Sequence, residues 1–489
     1  MAEHKTEVLI IGGGTLGTAI ARELSRYNVD ITLVEKEVDF GQGISKTSFN
    51  TVCQGNDASD FRKEYFRTKL LRESIPMWEP LCRELDESFQ RVGQLLLYSN
   101  NERLAHYRRT IRRAKDVGIT VHQWIDRDTL RSMEPNLSKE FVGALYDPEI
   151  AIIDTVRVTI ALAENARQNG VHMLLNTEVL DISRKVDGFE VETNNGSIES
   201  QFIVNVAGIN VDKLAAKVNA YNFPLFPVKA YVAVLDKKVG NLINHQIAGL
   251  PLRLGDLNIV SPSVHGNLFI GVPLVLAKRS DLSTTRDLAQ MALKNTQSLV
   301  PAISERDIIN SFVGYILFRN FEIGWHECVV GVSNRVPCFI NVSIGFPGVS
   351  AAPGTAKEAV RLLQAEGLKL EENPNFNPYR KAIVDFSELS DEEKSRLIAQ
   401  DPRYGHVVCR CETVTEGEIV EAIRRGATTL DGVKFRCRPG MGRCQGGFCG
   451  PRVTEILARE LNIPVEQVTK KGGKSQQVLF KSKELIGRR

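Results

Sequence analysis

The feature that most constrains the fold is an apolar segment followed at once by a glycine-rich turn. Residues 7–11 predict a short buried strand, the turn reads Gly12-Gly13-Gly14-Thr15-Leu16-Gly17, and residues 19–24 predict a helix. Gly12 allows a tight turn, Gly14 lets the backbone approach a pyrophosphate, and Gly17 allows close packing of the helix. The N-terminus of the helix offers N–H groups to phosphates.

A second predicted strand, residues 31–34, ends at Glu35. A carboxylate at this distance from the turn can accept a hydrogen bond from a ribose hydroxyl. Strand, turn, helix and acidic residue together predict a dinucleotide site, and a glycine-rich structural turn is the alternative. Because Glu35 favours an unphosphorylated ribose, the motif fits NAD and FAD equally.

Composition narrows the class of protein. A chain of 489 residues with 43% hydrophobic content is long enough for two or three domains. The formal net charge is only +3 and the basic residues are scattered, which argues against nucleic acid as a partner. The sequence has neither an apolar run of about 18 residues nor a signal-peptide pattern before residue 8, so we expect a cytoplasmic protein without a membrane-spanning helix.

Five of the nine cysteines lie between residues 409 and 449. An odd cysteine count in a cytosolic chain argues against a disulfide framework and favours metal ligation by this group. The dispersed Cys82, Cys328 and Cys338 are predicted to be plain buried thiols.

About the first 360 residues resemble the glycerol-3-phosphate dehydrogenase and L-2-hydroxyglutarate dehydrogenase branch of the D-amino-acid-oxidase-like FAD enzymes. The resemblance depends on residues 43–46, 143–154, 204–208 and 344–353. It implies that FAD is the cofactor. The residues that the resemblance places at FAD are Gly12, Gly14, Thr15, Leu16, Gly17, Glu35, Lys36, Gly43, Ser45, Lys46, Val179, Ala207, Gly208, Gly314, Gly345, Gly348, Val349 and Ser350.

The family folds discontinuously, with a substrate domain inserted between pieces of the nucleotide domain. Alternating apolar residues in 227–235, 258–261 and 267–270 predict an antiparallel sheet that roofs the flavin. We therefore expect an α/β fold: a Rossmann-type FAD domain over residues 1–370 with an interleaved antiparallel-sheet substrate domain, roughly 85–140 and 226–340. A polar linker, 371–404, precedes a small C-terminal domain over 405–489.

The C-terminal cysteines resemble those of the bacterioferritin-associated-ferredoxin type of [2Fe–2S] domain. The resemblance assigns Cys409, Cys411, Cys444 and Cys449 as iron ligands, with residues 416–425 as a helix between the two cysteine loops. Zinc is the alternative metal, although the one-residue spacing of the first pair differs from the usual zinc knuckle. Cys437 is either a packing residue or an alternative ligand. The arginines at 410, 436, 438 and 443 form a solvated basic face, offset the cluster charge, or dock an acidic partner.

The sequence departs from the family at the expected substrate pocket. Cys53 stands where the family has a histidine near the flavin, Ser48 where it has an asparagine, and Ile316 where it has a substrate-gripping arginine. The candidate catalytic residues are Arg319, Lys229 and Arg253 as cations, His265 or His326 as a base, and Cys53 as a reactive thiol. Each is equally compatible with a structural role.

Two classes of function follow. In the first, a dehydrogenase oxidises a small anionic 2-hydroxy acid, 2-amino acid or glycerol 3-phosphate by hydride transfer to flavin, and electrons leave through the [2Fe–2S] cluster to an acceptor or partner subunit. In the second, the chain is a catalytically divergent electron-transfer subunit of a flavoenzyme complex. A third class, an oxidase that passes electrons directly to oxygen, would have no use for the cluster. We expect an electron-accepting redox partner, such as a second flavoprotein subunit, and a hetero-oligomer.

Overall fold

The computed structural model describes residues 4–54, 66–99, 104–220, 223–249, 258–318 and 328–480. The chain divides into two compact units. Unit 1 comprises Met1–Glu35 and Gly41–Arg380, and unit 2 comprises Lys36–Phe40 and Lys381–Arg489. The region predicted as a linker is split: residues 371–380 belong to unit 1, and residues 381–404 belong to unit 2.

The strands of unit 1 form two large sheets and one small sheet. They are β1 (His4–Ile11), β2 (Ile31–Val34), β3 (Thr51–Val52), β4 (Phe89–Arg91), β5 (Gln94–Tyr98), β6 (Gln123–Asp126), β7 (Gly143–Asp147), β8 (Ala151–Ile153), β9 (His172–Leu174), β10 (Val179–Lys185), β11 (Gly188–Thr193), β12 (Gly196–Asn205), β13 (Phe226–Leu235), β14 (Gln246–Gly249), β15 (Asn258–Pro262), β16 (Leu268–Leu276), β17 (Ile308–Phe318), β18 (Val329–Val332) and β19 (Phe339–Ser343).

The first sheet is the predicted nucleotide-binding sheet. Its strand order is β10-β11-β12-β1-β2-β9, and β19 pairs with β12 and β18 with β19. The pairs β1–β12, β1–β2, β2–β9 and β12–β19 are parallel. Val8, Leu9 and Ile10 are fully buried, as expected for a central parallel strand that is covered on both faces. The carboxyl ends of β1, β2 and β12 therefore meet at one edge, where ligands of such sheets bind.

The second sheet is the predicted roof. Its order is β17-β13-β16-β15-β14-β5-β7-β6, and the three strands predicted from alternation correspond to β13, β15 and β16. The antiparallel pairing of β13 with β16 and of β15 with β16 is confirmed. One face of this sheet buries Tyr231, Ala233, Val260, Leu268 and Ile270 in a hydrophobic core.

The described residues form helices in both units. Unit 1 contains α1 (Thr15–Leu24), α2 (Phe66–Glu84), α3 (Leu104–Asp116), α4 (Arg127–Met133), α5 (Thr155–Gln168), α6 (Val211–Lys217), α7 (Arg286–Leu299) and α8 (Ala352–Ala365), and unit 2 contains α9 (Asp391–Gln400), α10 (Glu416–Arg424), α11 (Leu430–Cys437) and α12 (Gly450–Leu461). The helix predicted between the cysteine loops is confirmed as α10. No helix in the described part of the chain is long and apolar enough to cross a membrane.

Unit 2 packs its helices against a two-stranded sheet, β20 (Val407–Cys409) with β21 (Val414–Thr415). Its core includes Ile419, Val420, Val433 and Leu457. Segment 36–40 joins this unit through Asp39, whose carboxylate forms a bidentate ion pair with Arg436, and both side chains are almost fully buried. Two charges can be buried at acceptable cost only when paired in this way.

Glu418 makes unit 2 sensitive to pH. Its buried carboxylate caps α10 by accepting hydrogen bonds from the Thr415 backbone and hydroxyl, and burial raises its pKa to about 7. Above the ordinary carboxyl pKa, the folded state keeps a proton that the unfolded chain has lost, so stability falls as the pH rises towards 7. Glu418→Gln preserves the cap and removes the titration. We expect the wild type to lose at most about 3 kcal/mol of its free energy of unfolding in this way, and the variant to avoid that loss.

Hydrogen exchange of the α10 amides in the full chain, at pH 5.5 and pH 8 and corrected for intrinsic rates, measures this effect. The wild type should lose protection at the higher pH and the variant should not. Glu455→Gln, at an exposed position on α12, is the matched control and should behave like the wild type. Equal pH dependence in Glu418→Gln and the wild type would contradict the assignment.

Candidate functional site

The glycine turn after β1 has no room for side chains. Gly12 has φ +123°, and a Cβ there would lie 2.6 Å from the Val206 carbonyl oxygen. A Cβ on Gly17 would lie 1.9 Å from the Gly12 carbonyl oxygen, far inside van der Waals contact. Both glycines are therefore required by the close approach of β1, α1 and the end of β12, as the sequence motif implies.

The N-terminus of α1 can bind phosphate. Its N-cap residue, Gly14, provides no side-chain cap, so the first turn retains N–H groups that a phosphate can accept. Ser45 lies beside it and accepts a hydrogen bond from the Thr15 N–H at 3.0 Å. The structure thus brings together the glycine turn and the loop around Gly43, which the family resemblance placed at FAD. A Cβ on Gly43 would meet nothing within 4 Å, so that side of the loop is open.

Glu35 is fixed at the same edge of the sheet. One carboxylate oxygen accepts a hydrogen bond from the Gly13 N–H at 2.7 Å. The Glu35 carbonyl accepts a hydrogen bond from Thr177 N–H at 2.8 Å, which holds the segment leading to Val179 alongside. A carboxylate at the end of β2 fits the ribose of a dinucleotide. Lys36, also predicted to contact the cofactor, has an exposed ammonium 3.3 Å from the Glu37 carboxylate.

Several of the remaining predicted cofactor residues lie after β12, in α1 and in the turn before α8. Ala207 and Gly208 follow β12, and the Val206 N–H donates to the Ile11 carbonyl. Leu16 packs with Ile344 and Ala351 near the start of α8. Gly348 lies in the turn before α8, where a Cβ would lie 2.9 Å from the Gly345 carbonyl oxygen.

The first turn of α8 is already hydrogen-bonded, since the Gly354 N–H donates to the Ser74 hydroxyl at 2.8 Å and the turn also contains a proline, which has no N–H. Beside it, Ser350 accepts a hydrogen bond from the Cys53 N–H at 3.0 Å, and the Ser350 carbonyl accepts one from Trp78 at 2.9 Å. The N-terminus of α1, the fixed carboxylate and the glycines that exclude side chains all fit FAD.

The side of this candidate site that lies against the second sheet is apolar. Segment 47–49 lies against the second sheet: a Cβ on Gly314 would be 2.2 Å from the Thr47 hydroxyl oxygen, and the Phe49 ring lies 3.3 Å from the Cβ position of Gly271. Ile316 and Phe49 pack against a buried cluster on this sheet, which comprises Val228, Ala230, Ile259, Leu274 and Phe318. Ile316 therefore adds apolar surface where the family has an arginine.

Lys229 does not reach this apolar face. It pairs across the strands with Tyr315, while its neighbour Val228 pairs with Ile316, and successive residues of a strand point to opposite faces. Its ammonium donates to the Asp281 carboxylate at 2.8 Å and to the Ser283 carbonyl at 3.1 Å. These contacts favour a structural role for Lys229. The other predicted cations, Arg319 and Arg253, and the second predicted base, His326, lie outside the described residues.

His265 is held by a carboxylate. Its Nε2 lies 2.9 Å from Asp154 Oδ2, and both side chains are only partly buried. The other oxygen of Asp154 caps α5 by accepting from the N–H groups of Val156 and Arg157. A carboxylate that orients an imidazole is the usual arrangement for a general base. Cys53, by contrast, is a buried thiol 3.9 Å from the Ser350 hydroxyl.

Sequence reasoning did not identify Asp154 as the partner of His265. The two residues are 111 positions apart, and only the antiparallel turn between β15 and β16 brings the imidazole to the start of α5. It also missed a buried contact at Asp147. The His122 Nε2 lies 3.2 Å from the Asp147 carboxylate, which also accepts a hydrogen bond from the Gln54 side-chain amide. The available signal was Asp154 directly before a helix, which predicts a cap and not a catalytic pair.

The four predicted ligand cysteines converge in unit 2. The Sγ atoms of Cys411 and Cys444 are 4.0 Å apart, and the Cys409 thiol is hydrogen-bonded to that of Cys449. Cys409 and Cys449 are buried, whereas Cys411 and Cys444 are exposed. In the described part of the chain, no three His, Cys, Asp or Glu side chains form a site for one metal ion. Two thiol pairs fit a diiron cluster better than one tetrahedral zinc.

The environment lowers the pKa of two of the four thiols, Cys409 and Cys444, whereas burial raises the pKa of Cys411 and the neighbouring Cys409 thiol raises that of Cys449. The hydrogen bond from Cys449, helped by the backbone N–H groups of Gly440, Glu412 and Cys411, lowers the pKa of Cys409 to about 6. The backbone N–H of Phe448 lowers the pKa of Cys444. Backbone donors aimed at cysteine sulfur are how such domains stabilise and tune an iron–sulfur cluster. The residues present therefore fit a [2Fe–2S] cluster.

The remaining cysteines are part of the packing. Cys437 ends α11 with its Sγ 3.5 Å from the Val433 carbonyl oxygen and belongs to the core of unit 2, which favours the packing role over the ligand role. Cys82 is fully buried, as predicted, and burial raises its pKa to about 12. Cys328 and Cys338 are only partly buried, so the prediction that they are buried thiols is wrong.

The family models match both parts of the chain. A model described as FAD dependent oxidoreductase matches residues 7–362, and a model described as BFD-like [2Fe-2S] binding domain matches residues 407–459. The chain is 38% identical to a glycerol 3-phosphate dehydrogenase of Caloramator mitchellensis over 95% of its own length and 96% of the relative.

Two further relatives differ in how much of the chain they match. One subunit of the anaerobic glycerol-3-phosphate dehydrogenase of Escherichia coli strain K12 is 22% identical over 93% of this chain and 88% of its own length. A solved structure of L-alpha-glycerophosphate oxidase from Mycoplasma pneumoniae, reduced with dithionite and with FAD bound, superposes with a TM-score of 0.72 at 27% identity. It covers 77% of this chain and 99% of its own.

Proposed function

We propose that this chain, which belongs to the family of FAD-dependent oxidoreductases and carries a BFD-like [2Fe–2S] binding domain, is a dehydrogenase that oxidises glycerol 3-phosphate and exports the electrons through the cluster. The observation that carries the proposal is the 38% identity to a glycerol 3-phosphate dehydrogenase across both domains. FAD, when bound, supplies the ring that accepts the hydride from the substrate carbon. The N-terminus of α1 and the carboxylate of Glu35 would hold it.

The protein's own residues have two tasks in this reaction. His265, oriented by Asp154, accepts the proton of the substrate hydroxyl, so that the carbon can release its hydride. The phosphate needs a cation, and Arg319 and Arg253 remain our candidates because Lys229 is bound to Asp281. The apolar face around Ile316 excludes water from the reacting carbon.

The proposal extends to the surroundings of the protein. The Escherichia coli relative is one component of an enzyme with several, which supports a hetero-oligomer in which a redox partner takes the electrons. The four cysteines that we assign to the cluster must stay reduced to bind iron, which supports a reducing compartment such as the cytoplasm.

Anaerobic titration tests the substrate. Adding glycerol 3-phosphate to the oxidised holoprotein should bleach the flavin band, whereas L-2-hydroxyglutarate and glycine, added as comparison substrates, should not. Bleaching by a comparison substrate alone would contradict the assignment.

A second function is favoured by one observation: Ile316, where the family has an arginine, packs among apolar side chains on the second sheet. A catalytically divergent electron-transfer subunit would have such a face. It predicts that dithionite bleaches the flavin and that no small hydroxy or amino acid does so unless a partner protein is added.

His265→Asn tests the base. We expect the rate of flavin reduction by glycerol 3-phosphate to fall by about 100-fold or more, since general bases contribute that much, while FAD content and reduction by dithionite stay unchanged. His172→Asn is the matched control, because that histidine also neighbours an aspartate, Asp30, but is exposed. If both variants reduce flavin at the wild-type rate, His265 is not the base.

A further inference from the structure

The exposed side of the cysteine site forms a distinct surface, which we call the cluster edge: Arg410, Cys411, Arg443, Cys444 and Phe448. All five side chains are exposed, and Phe448 is 57% exposed. Because the other two ligand cysteines are buried at 1% and 2% exposure, the ligand set meets solvent only through Cys411 and Cys444. Electrons that leave the cluster for another molecule therefore have their shortest route here.

Phe448 and Arg410 form the prominent contact of the cluster edge. The guanidinium carbon of Arg410 lies 4.8 Å from the centroid of the Phe448 ring, a cation–π arrangement. Among the described residues Arg410 has no carboxylate partner. The stacked guanidinium keeps its N–H donors in its own plane, where an incoming carboxylate can bind them. An exposed aromatic ring and a stacked arginine are the residue types that dominate binding at protein interfaces.

The charge around the cluster edge has one sign. The two cysteine loops, 407–415 and 439–452, contain a single acidic residue, Glu412. Its carboxylate is bound by Arg438 at 3.1 Å, with side-chain exposures of 4% and 11%. The exposed charged residues of both loops are therefore arginines, Arg410, Arg443 and Arg452. Because Arg436 and Arg438 are buried against Asp39 and Glu412, the exposed arginines are the ones that a partner protein can reach.

We propose that the cluster edge docks an acidic electron-carrier protein that accepts one electron at a time, with Phe448 at the centre and Arg410 and Arg443 at the rim. The inference rests on the proposed function, in which the cluster exports electrons. Each docking moves one electron from the cluster to the carrier, so two carriers are reduced for each substrate oxidised, and no bond or proton changes at the interface. Opposite charge steers such transient encounters.

The test uses two haem carriers of opposite charge and the full holoprotein. The protein is reduced with dithionite, freed of excess reductant, and mixed anaerobically with an acidic bacterial c-type cytochrome or with basic mitochondrial cytochrome c. We expect the acidic cytochrome to be reduced faster at low salt, by about 10-fold or more, and the difference to vanish at high salt. Isothermal titration calorimetry of the oxidised holoprotein with each oxidised cytochrome should show the same preference for the acidic cytochrome, now in the absence of electron transfer.

Charge reversal at the cluster edge should invert this preference. The double variant Arg410→Glu and Arg443→Glu is expected to favour the basic cytochrome, and Phe448→Ala to slow both without changing the salt dependence. Arg424→Glu, at an exposed position near the end of α10, carries one of these charge changes outside the cysteine loops and should keep the wild-type preference. Unchanged iron content and an unchanged electron-paramagnetic signal of the reduced protein show that the cluster is intact. If the double variant loses its cluster, the single variant Arg410→Gln should still weaken the preference.

The proposal is overturned if the wild type shows no preference for the acidic cytochrome, or if Arg410→Glu with Arg443→Glu retains it. Since dithionite supplies the electrons, a failure to oxidise glycerol 3-phosphate would leave the docking result unaffected. The two proposals therefore fail separately.

Discussion

Replacing Cys444 with serine is expected to give a protein that binds FAD and is reduced by its substrate but no longer delivers electrons to one-electron acceptors. Cys444 is exposed and contributes little to the core of unit 2, so the fold should survive. Its Sγ approaches Cys411 to 4.0 Å, in one of the two thiol pairs. Changes beside a metal ligand already cost about 10–100-fold in metal affinity, and loss of a ligand should cost more.

Three measurements decide this prediction. Iron and acid-labile sulfide analysis should fall from about two of each per chain to background, and the electron-paramagnetic signal of the dithionite-reduced cluster should disappear. Flavin content should stay at the wild-type level. Acceptor reduction should be lost even though flavin reduction continues.

Cys437→Ala is the matched control, because Cys437 is buried nearby and bonds the Val433 carbonyl. This variant should keep its cluster at some cost in stability. Normal iron content in Cys444→Ser would show that Cys444 is not a ligand. Loss of the cluster in Cys437→Ala would show that Cys437 is more than a packing residue.

The cofactor edge of the fold could be predicted from local sequence because every part of it is local. The strand, turn and helix around Gly12 and Gly17 are consecutive, and Glu35 ends the next strand. Buried parallel strands and glycine turns leave clear patterns in a sequence. Likewise, short capping signals such as Thr415 with Glu418 fix α10 between the cysteine loops.

The substrate side could not be predicted in the same way, because its contacts join residues that are far apart in the chain. Lys229 was a reasonable candidate cation, yet its place on the strand turns it towards Asp281, 52 residues away. A solvated basic face is one of the alternatives predicted for Arg436 and Arg438, and it does not hold for them, because the structure buries both as ion pairs. A charged residue is predicted to be solvated by default, so burial with a distant partner cannot be seen in its own segment.

Alanine at Gly17 is expected to abolish FAD binding, because the new Cβ would lie 1.9 Å from the Gly12 carbonyl oxygen. That oxygen belongs to backbone, so no side-chain rotation can relieve the overlap, and either the turn or α1 must move. Either shift separates the phosphate-binding N-terminus of α1 from Ser45 and from Glu35. We expect the free energy of FAD binding to become less favourable by about 3 kcal/mol or more, which corresponds to a loss of at least about 100-fold in FAD affinity.

Two matched glycine variants separate this effect from the mere addition of a methyl group. Gly331→Ala adds one in the same unit, where a Cβ meets nothing within 4 Å, and should bind FAD normally. At Gly14 the nearest atom is the movable Ser45 hydroxyl, 3.2 Å from the Cβ position, and the backbone has φ −77°. Gly14→Ala should therefore fold normally and lose only the affinity that depends on backbone approach to the pyrophosphate. Thermal unfolding with and without added FAD, together with the flavin content as purified, distinguishes the three variants. If Gly17→Ala retains FAD as well as Gly331→Ala does, the turn is not the closely packed phosphate site from which the cofactor assignment begins.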